Sequence, residues 1–422
     1  MWVLYTNFCL YLAALMYYKF KDGIFSIRVF VLFLYCLFSI SGVFCIKNGI
    51  YFSTFGTFDL TQLSIVPYIF NFILVLYLLY NIPNFNFSKI KKQELLNSRI
   101  IVYIESFFII LSIIFLCLQY VWFQTFSSIE LADLYERGYT GEVDQYVFSS
   151  SILRVIYYRS KALLDYAVPF FYLIEFAKMS FGADYKKPLI IILLMFMPQI
   201  LLGYFSASRG MIVFQVANLF FFVIYFWKYL PLKVKSLIVS SFLLFSFSVI
   251  SFLLAISISR ADEDSDIATT EIFRYFGESF PNLGLRVWNV DGINLYGMRK
   301  FPTIYSLFAD IPKSIESYKN PNLFYGAYSK YPIQNFKTLF GDLYCEWGII
   351  LSFAIVVLFT KYALLLKRKL HNSLFSLIIL FSIYRVLVYG LFNADITQNS
   401  IIYMTVLFFI AAYIKRKTIN AI

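Results

Sequence analysis

The sequence predicts an all-α fold: a polytopic transmembrane helix bundle of about eleven helices. Three observations predict it. Hydrophobic residues make up 60% of the 422 residues and charged residues 14%, against roughly 25% charged in average soluble proteins. Uncharged apolar runs recur from one end of the chain to the other, and about twenty such residues cross a bilayer as a helix. The gaps between them alternate between short basic stretches and longer mixed ones, as the positive-inside rule requires. This composition excludes disorder and a set of soluble domains. Strands of a membrane barrel would alternate polar and apolar residues in short segments, unlike these runs. The chain therefore reads as one integral membrane domain over 1–422.

Taken in order, the first span is 2–18. No basic segment precedes it and no small-residue cleavage site follows it, so it reads as a retained helix rather than a signal peptide. Spans 24–46, 63–80 and 100–124 follow, then 162–178, 188–205, 211–227 and 236–258. The last three are 343–366, 372–392 and 400–414. One set of connections carries Lys19 and Lys21; Lys89, Lys91, Lys92 and Arg99; Lys178, Lys186 and Lys187; Lys228, Lys233 and Lys235; Lys367, Arg368 and Lys369; and Lys415, Arg416 and Lys417. All six clusters fall on one side of an odd-helix arrangement. That side is the cytoplasm, which puts the N-terminus outside and the C-terminus inside. The net charge of +12 then reflects orientation, not nucleic-acid binding. The five cysteines are scattered without metal-ligand spacing, so neither a disulfide framework nor a zinc site is indicated.

The other connections face out. Residues 125–161 carry Glu130, Asp133, Glu136, Glu142 and Asp144, whose first three read as the face of a short helix. Residues 259–342 form a large extracytoplasmic loop of about eighty residues, a length typical of functional or disordered segments. Its Tyr, Phe and Trp content favours order. Its acidic run at 261–266 reads as solvated. Within 269–289 a helix is expected, with Ile272, Phe273 and Phe276 on one face and Glu271, Arg274, Tyr275 and Glu278 on the other. Such a helix either lies on the membrane surface over a cavity or docks on the bundle with its charges paired. No nucleotide-binding P-loop is present, which argues against direct ATP drive. The single histidine, His371, lies among cytoplasmic basic residues, so triads and histidine-based metal sites on the outer face fall away.

Charges at membrane depth carry the most information. Arg28 and Glu105 lie near helix ends, where they can snorkel, and Glu175 has Lys178 at i+3. Arg385 sits about 20 Å from the cytoplasmic end of its helix at 1.5 Å per residue. There it needs an anion, which Asp165, Asp395 or a ligand phosphate can supply. Arg209 lies in the tight outward turn SASRG, 206–210, before a helix start. Small residues admit a ligand close to the backbone, helix N-termini favour anions, and a guanidinium offers phosphate a bidentate donor.

The helix number, the long outward loop, SRG after an apolar run and the closing motif NFKTLFGDLYCEWGIILSF, 335–353, together resemble Wzy-type O-antigen and oligosaccharide repeat-unit polymerases. The likeness in architecture covers most of the chain; that in sequence covers 206–216 and 335–353. Where that family often has a second glycine three residues after the first, this chain has Leu351 after Gly348. Arg286 and Gly297 fit an Arg-x10-Gly spacing found in some members, a spacing that chance also gives readily.

The resemblance implies glycosyl transfer at the outer face of the bacterial cytoplasmic membrane. A growing chain leaves its polyprenyl pyrophosphate for a sugar hydroxyl of a new lipid-linked unit. Substrates are then polyprenyl-pyrophosphate-linked oligosaccharides within membrane lipid. A separate chain-length regulator is the implied partner, and neither cofactor nor metal is expected. Arg209, Arg385 and one or more of Arg274 and Arg286 would stabilise the leaving pyrophosphate. Glu278, Asp342 or Glu346 would supply a base. Tyr275 and Trp288 would stack on sugars or sit at the membrane interface. Two other readings act on the same lipid-linked oligosaccharides, the first by glycosyl transfer and the second by transport. An O-antigen ligase typically has a histidine in the large loop, which is missing here. A lipid-linked oligosaccharide flippase would have short loops on both sides and charge through the whole membrane.

Overall fold

The computed structural model describes residues 1–56, 58–82, 99–126, 150–182, 184–205, 209–241, 251, 273–312, 321–333, 336–370 and 373–419. These are helices and connections, without a named strand among the described residues. The principal helices are α1 (Trp2–Asp22), α2 (Ile27–Lys47), α3 (Val66–Tyr80), α4 (Arg99–Phe126), α5 (Ser151–Ser180), α6 (Lys186–Phe205), α7 (Arg209–Phe226), α8 (Thr338–Lys369), α9 (Ser376–Tyr389) and α10 (Gln398–Ile419). Each expected span except 236–258, most of which lies outside the described residues, has a helix over it. By length and composition, six described helices are long and apolar enough to cross a membrane. The chain is a helical membrane protein.

The chain divides into two compact units. The first comprises 1–84, 264–366 and 382–404; the second comprises 85–263, 367–381 and 405–422.

In the second unit α4, α5, α6 and α7 pack together. Polar side chains on α4 repair a proline break in α6. Pro198 lacks the N–H that would bond the carbonyl four residues back, at Leu194. Ser112 Oγ donates to that carbonyl instead, at 2.6 Å, and Gln119 donates to the carbonyl of Pro198 at 2.8 Å. Between apolar helices such bonds hold the bundle and satisfy backbone groups at once. Glu105 does not snorkel. It and Glu175 both pair with Lys178, because a carboxylate facing a neighbouring helix meets a cation there before it meets water.

In the first unit α1 and α2 pack side by side, joined by Asn7 donating to Ser39 at 2.7 Å. Asn71 of α3 is the main polar junction. Its amide donates to Tyr11 of α1 at 2.8 Å. Its carbonyl oxygen accepts the N–H of Phe340 at 3.0 Å, one of the donors that the first turn of α8 leaves without a helical partner. Arg28 also departs from the snorkelling expectation, pairing with Asp22 at 2.9 Å and donating to the carbonyl of Leu79 at 3.0 Å.

The large loop enters this unit as a buried segment. A turn of helix at 273–277 begins at the surface with Phe273, 41% exposed, and a second at Ser279–Asn282 and a π-helical stretch at Leu283–Trp288 follow it into the protein. Phe280, Asn282 and Leu283 are fully buried. Of the two readings for this helix, docking on the bundle holds and lying on the surface does not. Gly277 explains the close approach. A Cβ there would lie 2.6 Å from the Ser41 carbonyl oxygen and 2.6 Å from Cys45 Sγ. The backbone finds partners in side chains: Cys45 donates to Phe273 O at 3.0 Å and Tyr68 to Phe280 O at 3.0 Å, while Tyr51 donates to the Asn282 side chain at 2.7 Å. Backbone of this kind is tolerated at membrane depth only when enclosed by protein.

Gly277→Ala is therefore expected to destabilise the protein by about 1–3 kcal/mol, because a backbone carbonyl cannot yield as a side chain can. Gly326→Ala, where the new Cβ meets only Tyr331 O at 3.5 Å, should be neutral or stabilising by about 0.4–1 kcal/mol. Thermal denaturation of both variants in detergent compares them, and equal melting points would refute the packing explanation.

Candidate functional site

The site is built at the start of α8, around the FGDLYCEWG motif. α8 begins at Thr338 rather than at the expected 343, so Asp342 and Glu346 share one helical face, four residues apart. Both are buried, at 1% and 0% exposure. Two buried carboxylates need cations, and the chain brings three to them. Arg299 bridges the pair, with Nη2 on Asp342 Oδ1 and Nε on Glu346 Oε1, each at 2.6 Å. Lys300 Nζ lies 2.6 Å from Asp342 Oδ2 and Lys337 Nζ lies 3.3 Å from Asp342 Oδ1.

The segment 390–397 closes over this cluster. The N–H of Ala394 donates to Asp342 Oδ2 at 3.1 Å, and Lys300 donates to the Ala394 carbonyl at 2.7 Å. The N–H groups of Lys337 and Thr338 both donate to Phe392 O, at 2.7 and 3.0 Å. These contacts hold Thr338 at φ 68. That conformation is foreign to a β-branched residue and costs on the order of 1–3 kcal/mol.

Arg385 of α9 completes the polar group. It pairs with Asp395 at 3.3 Å, one of the three partners expected for it. Its guanidinium lies 5.1 Å from the Tyr389 ring centroid and 4.7 Å from that of Tyr403. Four cations (Arg299, Lys300, Lys337, Arg385) thus meet three carboxylates (Asp342, Glu346, Asp395). Burial lowers the pKa of Lys337, with Asp342 opposing the shift. Burial also acts to lower that of Arg299, but Asp342 and then Glu346 outweigh it, so the guanidinium is held charged. Burial raises the pKa of Asp395 against the charges of Arg385 and Lys300.

The carboxylates differ in capacity. Asp342 accepts from Arg299, Lys300, Lys337 and the Ala394 N–H, which fills about four lone-pair sites. Glu346 accepts through Oε1 alone; among the described residues its Oε2 is buried without a hydrogen-bond partner. Burial, and after it the charge of Glu346, raises the pKa of the nearby Tyr325 phenol.

The other expected residues stand elsewhere. Arg274 and Glu278 pair with each other at 3.7 Å. Arg286 lies over the Phe55 ring, 4.5 Å from its centroid, with Nη1 buried and without a hydrogen-bond partner among the described residues. Tyr275 is buried against Phe276, Phe336 and Phe392. Trp288 packs on Phe70, Phe340 and Tyr344. Both rings are thus committed to packing. Arg209 opens α7 in the second unit; the SAS of its turn lies outside the described residues, as do Glu271, His371 and the acidic positions at 130–144 and 261–266.

Arg299, Lys300 and Lys337 were not among the expected site residues. A signal for them exists: two carboxylates within an otherwise apolar helix start need matching cations. Lys337 and the pair Arg299–Lys300 are basic residues of the loop that feeds that helix.

Two glycines shape the surroundings. Gly348 has φ 67 and ψ −168 and breaks α8, a conformation essentially restricted to glycine. Gly297, at φ 91, leaves room for Trp347, whose ring a Cβ would meet at 2.3 Å. Leu351, at the position of the missing second glycine, is 44% exposed, so no close helix contact is needed there. Comparison with protein-family models, curated proteins and solved structures finds no match to this chain.

Proposed function

We propose that the chain is a membrane-embedded glycosyltransferase that polymerises lipid-linked oligosaccharide repeat units, for O-antigen or capsule, at the outer face of the bacterial cytoplasmic membrane. The observation that carries this reading is the group of four cations and three carboxylates, with Lys300, Lys337, Asp342 and Glu346 buried, at the FGDLYCEWG motif. Three of its members, Lys337, Asp342 and Glu346, lie within the stretch 335–353 that resembles repeat-unit polymerases. An intramembrane charge cluster is a functional-site hypothesis by default, and its cations suit an anionic substrate. In this proposal the N-terminus is outside, the C-terminus is cytoplasmic, and a chain-length regulator acts alongside.

The acceptor hydroxyl oxygen attacks the anomeric carbon of the growing chain as the bond from that carbon to the pyrophosphate oxygen breaks. The bonding pair leaves with the polyprenyl pyrophosphate, and cations stabilise the charge that develops. The hydroxyl proton passes to Glu346, whose Oε2 alone is unoccupied among the oxygens of Asp342 and Glu346. Asp342 serves to hold the cations in place. Pyrophosphate is a good leaving group, so the step needs no strong general acid.

Deletion of the gene, with surface polysaccharide resolved on a gel and lipid-linked intermediates extracted, tests the proposal. The expected result is loss of the long-chain ladder while single repeat units still reach the surface. Polymer accumulating on its lipid carrier would indicate a ligase instead. Single units trapped on the cytoplasmic leaflet would indicate a flippase.

A further inference from the structure

A short amphipathic helix follows Arg299 and Lys300 in the large loop. The N–H groups of Tyr305 and Ser306 bond to the carbonyls of Phe301 and Pro302, at 2.8 and 2.9 Å. Those of Phe308 and Ala309 bond to that of Tyr305, at 2.9 and 3.0 Å. Helical turns thus run over 301–309. Ile304, Leu307 and Phe308 stand at i, i+3 and i+4 on one face, and Thr303, Ser306 and Asp310 at i, i+3 and i+7 on the other. The apolar face is open: Ile304 is 51%, Leu307 76% and Phe308 85% exposed. Three large apolar side chains set together in this way are unfavourable in water and mark a contact surface.

The root of the helix points to what that contact is. Phe301 lines a cavity together with Ile355, Leu358 and Phe359 of α8. Ile355 lies about 10 Å along α8 from the Gly348 break, at the helical rise, within a helix apolar enough to cross a membrane. Gln398, at the head of the spanning helix α10, clasps the same root. Its N–H donates to Lys300 O at 2.8 Å, its side-chain oxygen accepts from Thr303 N at 3.1 Å, and its amide donates to Thr303 Oγ1 at 2.9 Å. Near this end the flanks of both spanning helices are apolar and exposed, at Ile349, Ile350 and Leu351 on α8 and Ile402 on α10. The open face of 302–309 therefore continues a surface that meets hydrocarbon, rather than standing apart from it in water.

We propose that 302–309 is an interfacial foot, whose apolar face sinks among the headgroups and upper acyl chains of the leaflet beside the head of α10. In the orientation proposed above this is the outer leaflet. Amphipathic helices with Phe and Leu on one face and polar residues on the other lie in that zone. Lys300, the chain neighbour of Phe301, pairs with Asp342, so the foot also sets the height of the charged cluster relative to the bilayer surface. The foot rests on its exposed face and its root, whichever reaction the cluster serves.

Full-length protein carrying an environment-sensitive fluorescent amino acid at 304 is placed in vesicles of phosphatidylethanolamine and phosphatidylglycerol. Part of the lipid bears a nitroxide, either near the head or near the end of one acyl chain. The shallow nitroxide should quench the probe, the deep one should quench it less, and aqueous iodide should leave it bright. Leu307→Asp combined with Phe308→Asp should lose the nitroxide quenching and gain iodide quenching, because two carboxylates hold the face in water. Leu307→Met combined with Phe308→Leu should behave as the wild type. Both side chains are exposed, so the melting temperature should stay unchanged in either variant, which separates loss of the foot from misfolding. Quenching of the original face by iodide and not by lipid would overturn the proposal. So would protection from both quenchers, since a protein segment would then cover the face, and so would nitroxide quenching that survives the two aspartates.

Discussion

Asp342→Ala is expected to lower stability by about 3–5 kcal/mol, the cost of removing one partner from a buried ion group. The carboxylate is 1% exposed and takes bonds from Arg299, Lys300, Lys337 and the Ala394 N–H. Without it, Arg299, Lys300 and Lys337 lose the one carboxylate that all three share. The clasp between 390–397 and the head of α8 also loses its central acceptor. Asp342→Asn keeps the shape and one oxygen acceptor but not the charge, so it should fall between alanine and wild type. The check is yield and melting temperature of detergent-solubilised protein at one fixed pH. Asparagine as stable as aspartate would mean that charge neutralisation is not what holds the cluster. Loss of this much stability is a large share of what a typical domain has, so Asp342→Ala should also reduce the protein level in cells.

Glu346→Gln should abolish polymer formation while leaving the protein level near normal. Glutamine retains the oxygen that accepts from Arg299 Nε at 2.6 Å but cannot take a proton. General-base catalysis typically contributes about 10²–10⁴-fold, and a fall of that size would leave no long-chain ladder on a gel. Glu278→Gln is the comparison. That carboxylate is paired with Arg274 outside the cluster, and its loss should leave the ladder in place. A full ladder from Glu346→Gln at normal protein level would remove Glu346 from the mechanism. Arg299→Lys separates holding from chemistry: lysine keeps a charge but loses the fork that spans both carboxylates. Ladder length and melting temperature should therefore fall together.

Much of the helical layout is legible in the sequence because bilayer span is set by a count of apolar residues, which needs no tertiary information. The Glu175–Lys178 pair was legible for a similar reason, since helical spacing alone brings i and i+3 together. Arg385 could be flagged as needing an anion from its depth, but not given one. Asp395, one of the expected partners, pairs with it because the short turn after α9 brings that carboxylate back beside it. The large loop was the harder element. Alternating charge on 271–278 fits a surface helix and a docked one equally well. The choice was made by Gly277 against α2 and by side-chain donors on α2 and α3 that receive the irregular backbone.

By itself, the sequence determined the class of the protein, the placing of most helices and the presence of two carboxylates within the FGDLYCEWG stretch. These follow from composition, from helical period and from the high cost of charge within an apolar run, all local properties of the chain. Only the tertiary structure decided which cations answer the two carboxylates, and that Asp342 is saturated while Glu346 keeps one oxygen without a partner among the described residues. Arg299 and Glu346 are separated by 47 positions in the chain, and Asp342 and Ala394 by 52. Pairing at such distances depends on how helices pack and where loops return, which neither residue type nor spacing encodes.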